Sequence, residues 1–131
     1  MRIALMTAFA VGSGGFLGSL TRYGLSVLVQ RHGPPLLSAF PLATLVVNLV
    51  GCLGVGMLAG FAESRQVLGA EFRAFVVVGF LGGLTTFSAF GYETYAMVRQ
   101  EEYIRAVLNV ISQVVLGIVM VWLGYNLTDS R

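Results

Sequence analysis

Polar side chains are scarce in this sequence, and three clusters of them within its apolar stretches stand out. The first lies in Ala43-Thr44-Leu45-Val46-Val47-Asn48-Leu49-Val50-Gly51, where Thr44, Asn48 and Gly51 stand at i, i+4 and i+7 and so share a helix face. A side-chain amide in an apolar medium needs partners, so Asn48 faces either protein or a wet path. Two roles stay open: glue between helices, worth about 0.6–2 kcal/mol, or a donor lining a permeation route.

The second cluster is Gly79-Phe80-Leu81-Gly82-Gly83-Leu84-Thr85-Thr86-Phe87-Ser88-Ala89-Phe90. Adjacent glycines followed by two threonines weaken a helix, because Gly adds backbone freedom and Thr is stiff at χ1. The pattern predicts a break in the middle of this segment, tolerated in a membrane only where protein or water satisfies the freed backbone. Its carbonyls are then available to a cation. Phe87 and Phe90, at i and i+3, share a face just beyond. An aromatic ring is positive around its edge, so two rings presented edge-on offer weak positive potential to a small anion. The bland alternative is two Phe that pack or face lipid.

Asn109, Ser112 and Gln113, at i, i+3 and i+4 with Gly117 continuing the face, form the third cluster. Such a stripe suits the wall of a wet vestibule or the contact between two helices. Glu93 follows Phe90 by three residues and reads as a helix-end carboxylate, snorkelling outward or bonded to a nearby hydroxyl or Arg. Arg22 reads as snorkelling to the interface with its stem in the apolar zone, where it raises the local anion concentration at an entrance. Cys52 is the only cysteine and reads as a small buried hydrophobe; His32, beside Gly33-Pro34-Pro35, reads as a loop residue. Neither has the companions of a metal site, and no nucleophile, base and orienting group occur together, so an enzyme is not expected.

The elements that must position these groups follow from composition. Of 131 residues, 56% are hydrophobic and only 11% charged, and mean hydropathy is +0.84. Soluble domains carry about a quarter charged residues, so the expected solvent is lipid. The formal charge of +2, from Arg alone, forms no stripe for nucleic acid. Four apolar stretches, about 3–29, 42–62, 75–98 and 106–127, are each long enough to cross a hydrocarbon core of about 30 Å. The first is too long for a cleaved signal peptide and runs into Arg22 rather than a cleavage site. Residues 1–131 thus read as one all-α, four-helix transmembrane domain with short connections.

Orientation is weakly specified. With both termini on one side, Arg2, Arg65, Arg73 and Arg131 lie there, against Arg31, Arg99 and Arg105, plus Arg22 if it reaches out. Insertion both ways, followed by antiparallel pairing, stands beside a single orientation fixed by one or two Arg. Gly14 and Gly18, Gly15 and Ser19, Gly56 and Gly60, and Gly79 and Gly83 recur at four-residue spacing, which lets helix backbones approach closely.

Three blocks bring these residues together: Gly14-Gly15-Phe16-Leu17-Gly18-Ser19-Leu20-Thr21-Arg22-Tyr23, then Thr44 to Gly51, then Gly79 to Phe90. They resemble the signature blocks of the Fluc fluoride channels, also called CrcB proteins. The resemblance implies an antiparallel, dual-topology homodimer in the inner cell membrane that exports fluoride passively through two pores and lowers cytoplasmic fluoride. It also implies a structural, untransported sodium ion (Na+) on the dimer axis, held by the main-chain carbonyls of Gly82 and Thr85. Asn48 would be the pore amide and Phe87 and Phe90 the fluoride-facing rings, with Ser88, Asn109 and Gln113 in the lining. The partners implied are fluoride, a second copy and membrane lipid, with no nucleic acid. The chain departs from the family in two places: Ala89 stands where Thr is usual, and Asn109 and Gln113 supply amides where hydroxyls are common. A small multidrug-resistance transporter would need an acid in the first helix, which has none, and a non-conducting scaffold subunit remains the other rival.

Overall fold

The computed structural model describes residues 2–35, 39–65 and 69–129. Arg131, which enters the charge balance, lies outside them, as do parts of the two longer connections. Among the described residues every regular element is helical. Helix α1 is Arg2–His32 and α2 is Leu42–Arg65. The third span divides into α3 (70–84) and α4 (Phe87–Arg99). Helix α5 covers Tyr103–Thr128. Four spans, Ile3–His32, Leu42–Glu63, Ala70–Arg99 and Tyr103–Thr128, are long and apolar enough to cross a membrane.

The helices outrun the apolar stretches that mark them. With 31 residues, α1 is about 46 Å long at 1.5 Å per residue, well beyond a hydrocarbon core of about 30 Å. Its last turn therefore contains Arg31 and His32. His32 is helical, not a loop residue: its Nδ1 lies 3.1 Å from the Leu28 carbonyl, one turn back along the helix. Gly33 then donates to Val29 O at 2.7 Å, and Pro34, lacking an N–H, follows.

Helix α1 packs along α3, and α2 along α5. Glycine makes both contacts possible. A Cβ on Gly79 would meet Val11 O at 2.7 Å, and one on Gly83 would meet Gly15 O at 2.5 Å. Gly14 and Gly18 of α1 abut the backbone of Phe75 and Phe80 in the same way. On the other side, Gly56 and Gly60 abut Val121 and Tyr125, while Gly124 abuts Leu53 and Met57. Backbone meets backbone across these faces, and dispersion supplies the association energy. Between the two pairs lies a small core of Val47, Leu81 and Leu84, joined by Leu25, Leu58 and Phe80.

The turn from α4 to α5 is closed by Glu102 N to Met97 O at 2.9 Å and Glu101 N to Val98 O at 3.1 Å. These two bonds form a Schellman motif whose left-handed residue is Glu101, at φ 62°. Near the other end of α5, the Tyr125 hydroxyl donates to Glu63 and the Thr128 hydroxyl donates to Met57 O at 2.8 Å, clasping α5 to α2. Most of the outer surface is apolar, with Phe9 and Ile104 almost as exposed as in an open chain. Such a surface is at home in lipid.

Candidate functional site

The third span leaves the helix at Thr85 (φ −79°, ψ 159°) and Thr86 (φ −149°, ψ 116°), both extended, and resumes at Phe87. The low propensity of Gly82-Gly83 and the β-branched threonines make the departure cheap. Side chains make it definite. Thr86 N–H donates to Asn48 Oδ1 at 2.9 Å, and Asn48 Nδ2 donates back to Thr86 O at 3.1 Å. In a continuous helix the Thr86 N–H would close on Gly82 O. The Ala89 N–H, which would close on Thr85 O, goes instead to Thr86 Oγ1 at 3.2 Å as an N-cap. Asn48 and Thr86 thus release the carbonyls of Gly82 and Thr85 from the ladder. The N-cap uses only the main chain of residue 89, so Ala89 serves it without a hydroxyl.

The whole predicted face of α2 meets the third span. Gly51 accommodates the Thr85 methyl, where a Cβ would collide. Asn48 holds Thr86, and the Thr44 hydroxyl donates to Glu93 Oε1 at 2.6 Å. Glu93 is therefore bonded to a hydroxyl, one of its two expected fates. Arg22 takes a different course from the one expected: it turns inward, and its Nη1 lies 3.4 Å from Thr85 O. The released carbonyl of half-buried Thr85 offers the guanidinium an acceptor.

Phe87 and Phe90 sit edge to face, with centroids 5.5 Å apart and planes at 62°. They line an open cavity of about 380 Å³ together with Asn48, Thr85, Thr86 and Gln113. Phe87 is 82% exposed, so beyond its contact with Phe90 the ring is open to its surroundings in the single chain. Cys52, half-buried, borders this cavity and the apolar one beside it. Gln113 Oε1 accepts from Asn48 Nδ2 at 3.1 Å, so α5 joins the α2–Thr86 network. Ser88 is exposed and lies 3.3 Å from Thr86 Oγ1. Asn109 is elsewhere: fully buried, it donates to Thr94 Oγ1 at 2.9 Å and ties α5 to α4. Residues Ser112–Leu116 wind as a wider π-helical turn, which separates Gln113 from the direction of Asn109. Among the described residues no three His, Cys, Asp or Glu side chains gather.

Two contributors were hidden from sequence reading, Thr86 as the cap and anchor of the interruption and Arg22 as a partner of Thr85. A Thr placed just before an apolar helix is the signal for the first; the second pairing spans 63 positions and has none.

Residues 9–125 match the family described as CrcB-like protein, Camphor Resistance (CrcB). The chain belongs to this family. Among its relatives is the fluoride-specific ion channel FluC of Methylobacillus flagellatus, 43% identical over 117 residues that cover 89% of this chain and 90% of the relative. The FluC channel of Aquifex aeolicus is 38% identical over 122 residues, covering 93% and 96%. That of Desulforapulum autotrophicum is 47% identical over 103 residues, covering 79% and 80%. As a CrcB-family member with four spans, the chain is a multi-pass protein of the bacterial cell membrane.

Proposed function

We propose that this chain forms a fluoride-specific ion channel that lets fluoride leave the cytoplasm passively, working as an antiparallel, dual-topology homodimer. The observation that carries the reading is the cavity in which edge-to-face Phe87 and Phe90 meet the amides of Asn48 and Gln113 beside the released backbone at Thr85 and Thr86. The relatives named as fluoride channels support it along nearly the whole chain. Ion permeation, with no bond made or broken, is the whole of the activity.

Fluoride holds water tightly, so a narrow path must replace that water with donors. Ring edges, amide N–H groups and the Ser88 hydroxyl are weak, uncharged donors, and several in series let the ion enter and leave. The N-terminus of α4 adds partial positive charge at the same level. Asn109 supports this wall from behind by fixing α4 against α5. The interruption at Thr85 and Thr86 lies midway along the Ala70–Arg99 span, where in a membrane backbone polar groups need protein or water as partners.

The released carbonyls of Gly82 and Thr85 suit a hard cation such as Na+, and they lie at the C-terminal, partially negative end of α3. Gly82 is exposed, and even a Cβ there would meet only Val77 O, at 4.0 Å. Two oxygens from each of two copies would hold the ion, while Thr85 O is shared with Arg22. When bound, the ion supplies fixed positive charge that offsets the carbonyls and joins the copies.

Purified protein in potassium fluoride-loaded liposomes tests the reading. Fluoride should escape when valinomycin balances the charge, and vesicles that stay sealed would overturn it. Tags on each terminus should be found on both faces of the membrane. Thorough replacement of sodium by a large organic cation should weaken the dimer; a dimer and a flux both unchanged would remove the ion from the proposal.

A further inference from the structure

Helix α1 carries a cation of its own to the interruption in the third span. We infer that this cation, the Arg22 guanidinium, competes with the structural sodium for Thr85 O and so sets how much sodium the assembled protein needs. The inference rests on the sodium-bridged dimer proposed above and assigns Arg22 a role within it.

Close backbone contact brings Arg22 to its place. Gly14, Gly18 and Arg22 stand at i, i+4 and i+8 along one side of α1. A Cβ on Gly14 would meet Phe75 O, and one on Gly18 would meet Phe80 O and, at 2.9 Å, Leu84 N. Successive turns of α1 thus lie against successive turns of α3. One turn further on, the third span has left the helix at Thr85. Arg22 stands at that level, and its Nη1 lies 3.4 Å from Thr85 O.

No acid of the same chain neutralises this guanidinium. Arg22 is half-buried, and among the described residues the one ion pair joins Arg105 to Glu102. What draws Arg22 inward is the backbone. Thr85 O has left the helical ladder, because the Ala89 N–H goes to Thr86 Oγ1 at 3.2 Å. The C-terminus of α3 also bears partial negative charge, which favours a cation beside its last turn. A guanidinium and a sodium ion answer the same demand.

They do not answer it independently. Leu81 O is occupied, accepting from Thr85 N and from Thr85 Oγ1, both at 2.9 Å. The released oxygens are those of Gly82 and Thr85, and Thr85 O is the one that Arg22 meets. Two positive charges on one oxygen repel, and an apolar surrounding screens that repulsion poorly. Arg22 therefore lowers the affinity of this helix end for sodium. In a chain not yet paired, the same contact spares a released carbonyl from lacking a donor. The arginine serves the single copy as the cation that pairing later brings.

Sodium titration of the full chain tests the assignment, read as the unfolding midpoint of the assembled protein in detergent. N-methylglucamine chloride replaces sodium chloride, so ionic strength stays constant. Arg22→Met keeps an unbranched apolar stem and removes the charge. The sodium concentration giving half of the stabilisation should then fall about tenfold or more, the scale on which a neighbouring charge moves the affinity of a group for a proton. A variant that merely lost packing would need more sodium, so the direction separates the two causes. Arg22→Met that needs as much sodium as the unaltered protein, or more, would overturn the assignment. Arg22→Lys, which keeps the charge, should need about as much sodium as the unaltered protein; a fall equal to that of Arg22→Met would also overturn it. Should neither variant assemble, the unaltered protein decides. Labelled with 15N in its arginine side chains, it should show a guanidinium signal moving as sodium is added at constant ionic strength, and no movement would sink the idea. Unaltered protein whose midpoint ignores sodium refutes the sodium reading itself, and this inference with it. A sodium response that is the same with and without the Arg22 charge refutes only this inference.

Discussion

Asn48 on α2 and Thr86 between α3 and α4 hold each other by a reciprocal pair of hydrogen bonds, 2.9 Å from the Thr86 N–H and 3.1 Å to its carbonyl. A side-chain amide has the same donor and acceptor pattern as a peptide unit, so Asn48 substitutes for the backbone neighbour that Thr86 lost on leaving the helix. The contact spans 38 positions of sequence. It fixes one helix against another and fixes the start of α4 at the same time.

Asn48→Ala leaves that donor and acceptor of Thr86 without partners, at an expected cost of about 2–4 kcal/mol. The interruption should then drift toward continuous helix, with Thr86 N–H returning to Gly82 O. Thermal unfolding in detergent should begin at lower temperature, and fluoride efflux from liposomes should disappear. An unchanged midpoint would mean that the pair contributes no stability.

Phe87→Ala and Phe90→Ala separate permeation from folding. Phe87 is 82% exposed, so its loss should leave the unfolding midpoint nearly unchanged. Efflux should fall about tenfold or more in each, the scale of a lost ring-edge contact of about 1.4 kcal/mol. Full flux in both variants would remove the rings from the path.

The glycines divide into two classes that substitution should reveal. Gly18→Leu and Gly83→Leu insert side chains where backbone atoms of α3 and α1 already lie, and neither should give folded, monodisperse protein. Gly12 has nothing within 4 Å of an added Cβ. Gly12→Ala should therefore stabilise α1 by about 0.5–1 kcal/mol through helix propensity. Size-exclusion profiles and unfolding midpoints distinguish the two outcomes.

Glu101 is a non-glycine residue at φ 62°. The left-handed region disfavours side chains by about 1–2 kcal/mol, partly offset in glycine by its freer unfolded state. Glu101→Gly should raise stability by roughly 0.5–1 kcal/mol without altering flux. A destabilised variant would show that the Glu101 side chain makes an interaction that outweighs the strain.

The spans were legible because lipid demands about 20 consecutive apolar residues, and that demand marks their middles clearly. It marks the ends poorly, since Arg31 and His32 extend α1 without breaking its hydrogen bonds. Gly82, Gly83, Thr85 and Thr86 marked a weak stretch, but the departure point depends on Asn48, distant in sequence. Asn109 and Gln113 looked equivalent on one stripe. The wider turn at Ser112–Leu116 sends one to Thr94 and the other to Asn48, and nothing in residue type announces such a turn. Arg22 carries the same lesson, because its carbonyl partner exists only once the third span is interrupted.

Among the described residues, the wall around Phe87 and Phe90 contains no carboxyl, imidazole, amine or guanidinium group, and its one titratable side chain is the Cys52 thiol. Its attraction for an anion comes from fixed dipoles of rings, amides and a helix end, none of which changes charge when a proton arrives. A conduit built this way has no carboxylate or imidazole switch in its lining. Acidification that alters everything around the protein would find this passage electrically the same.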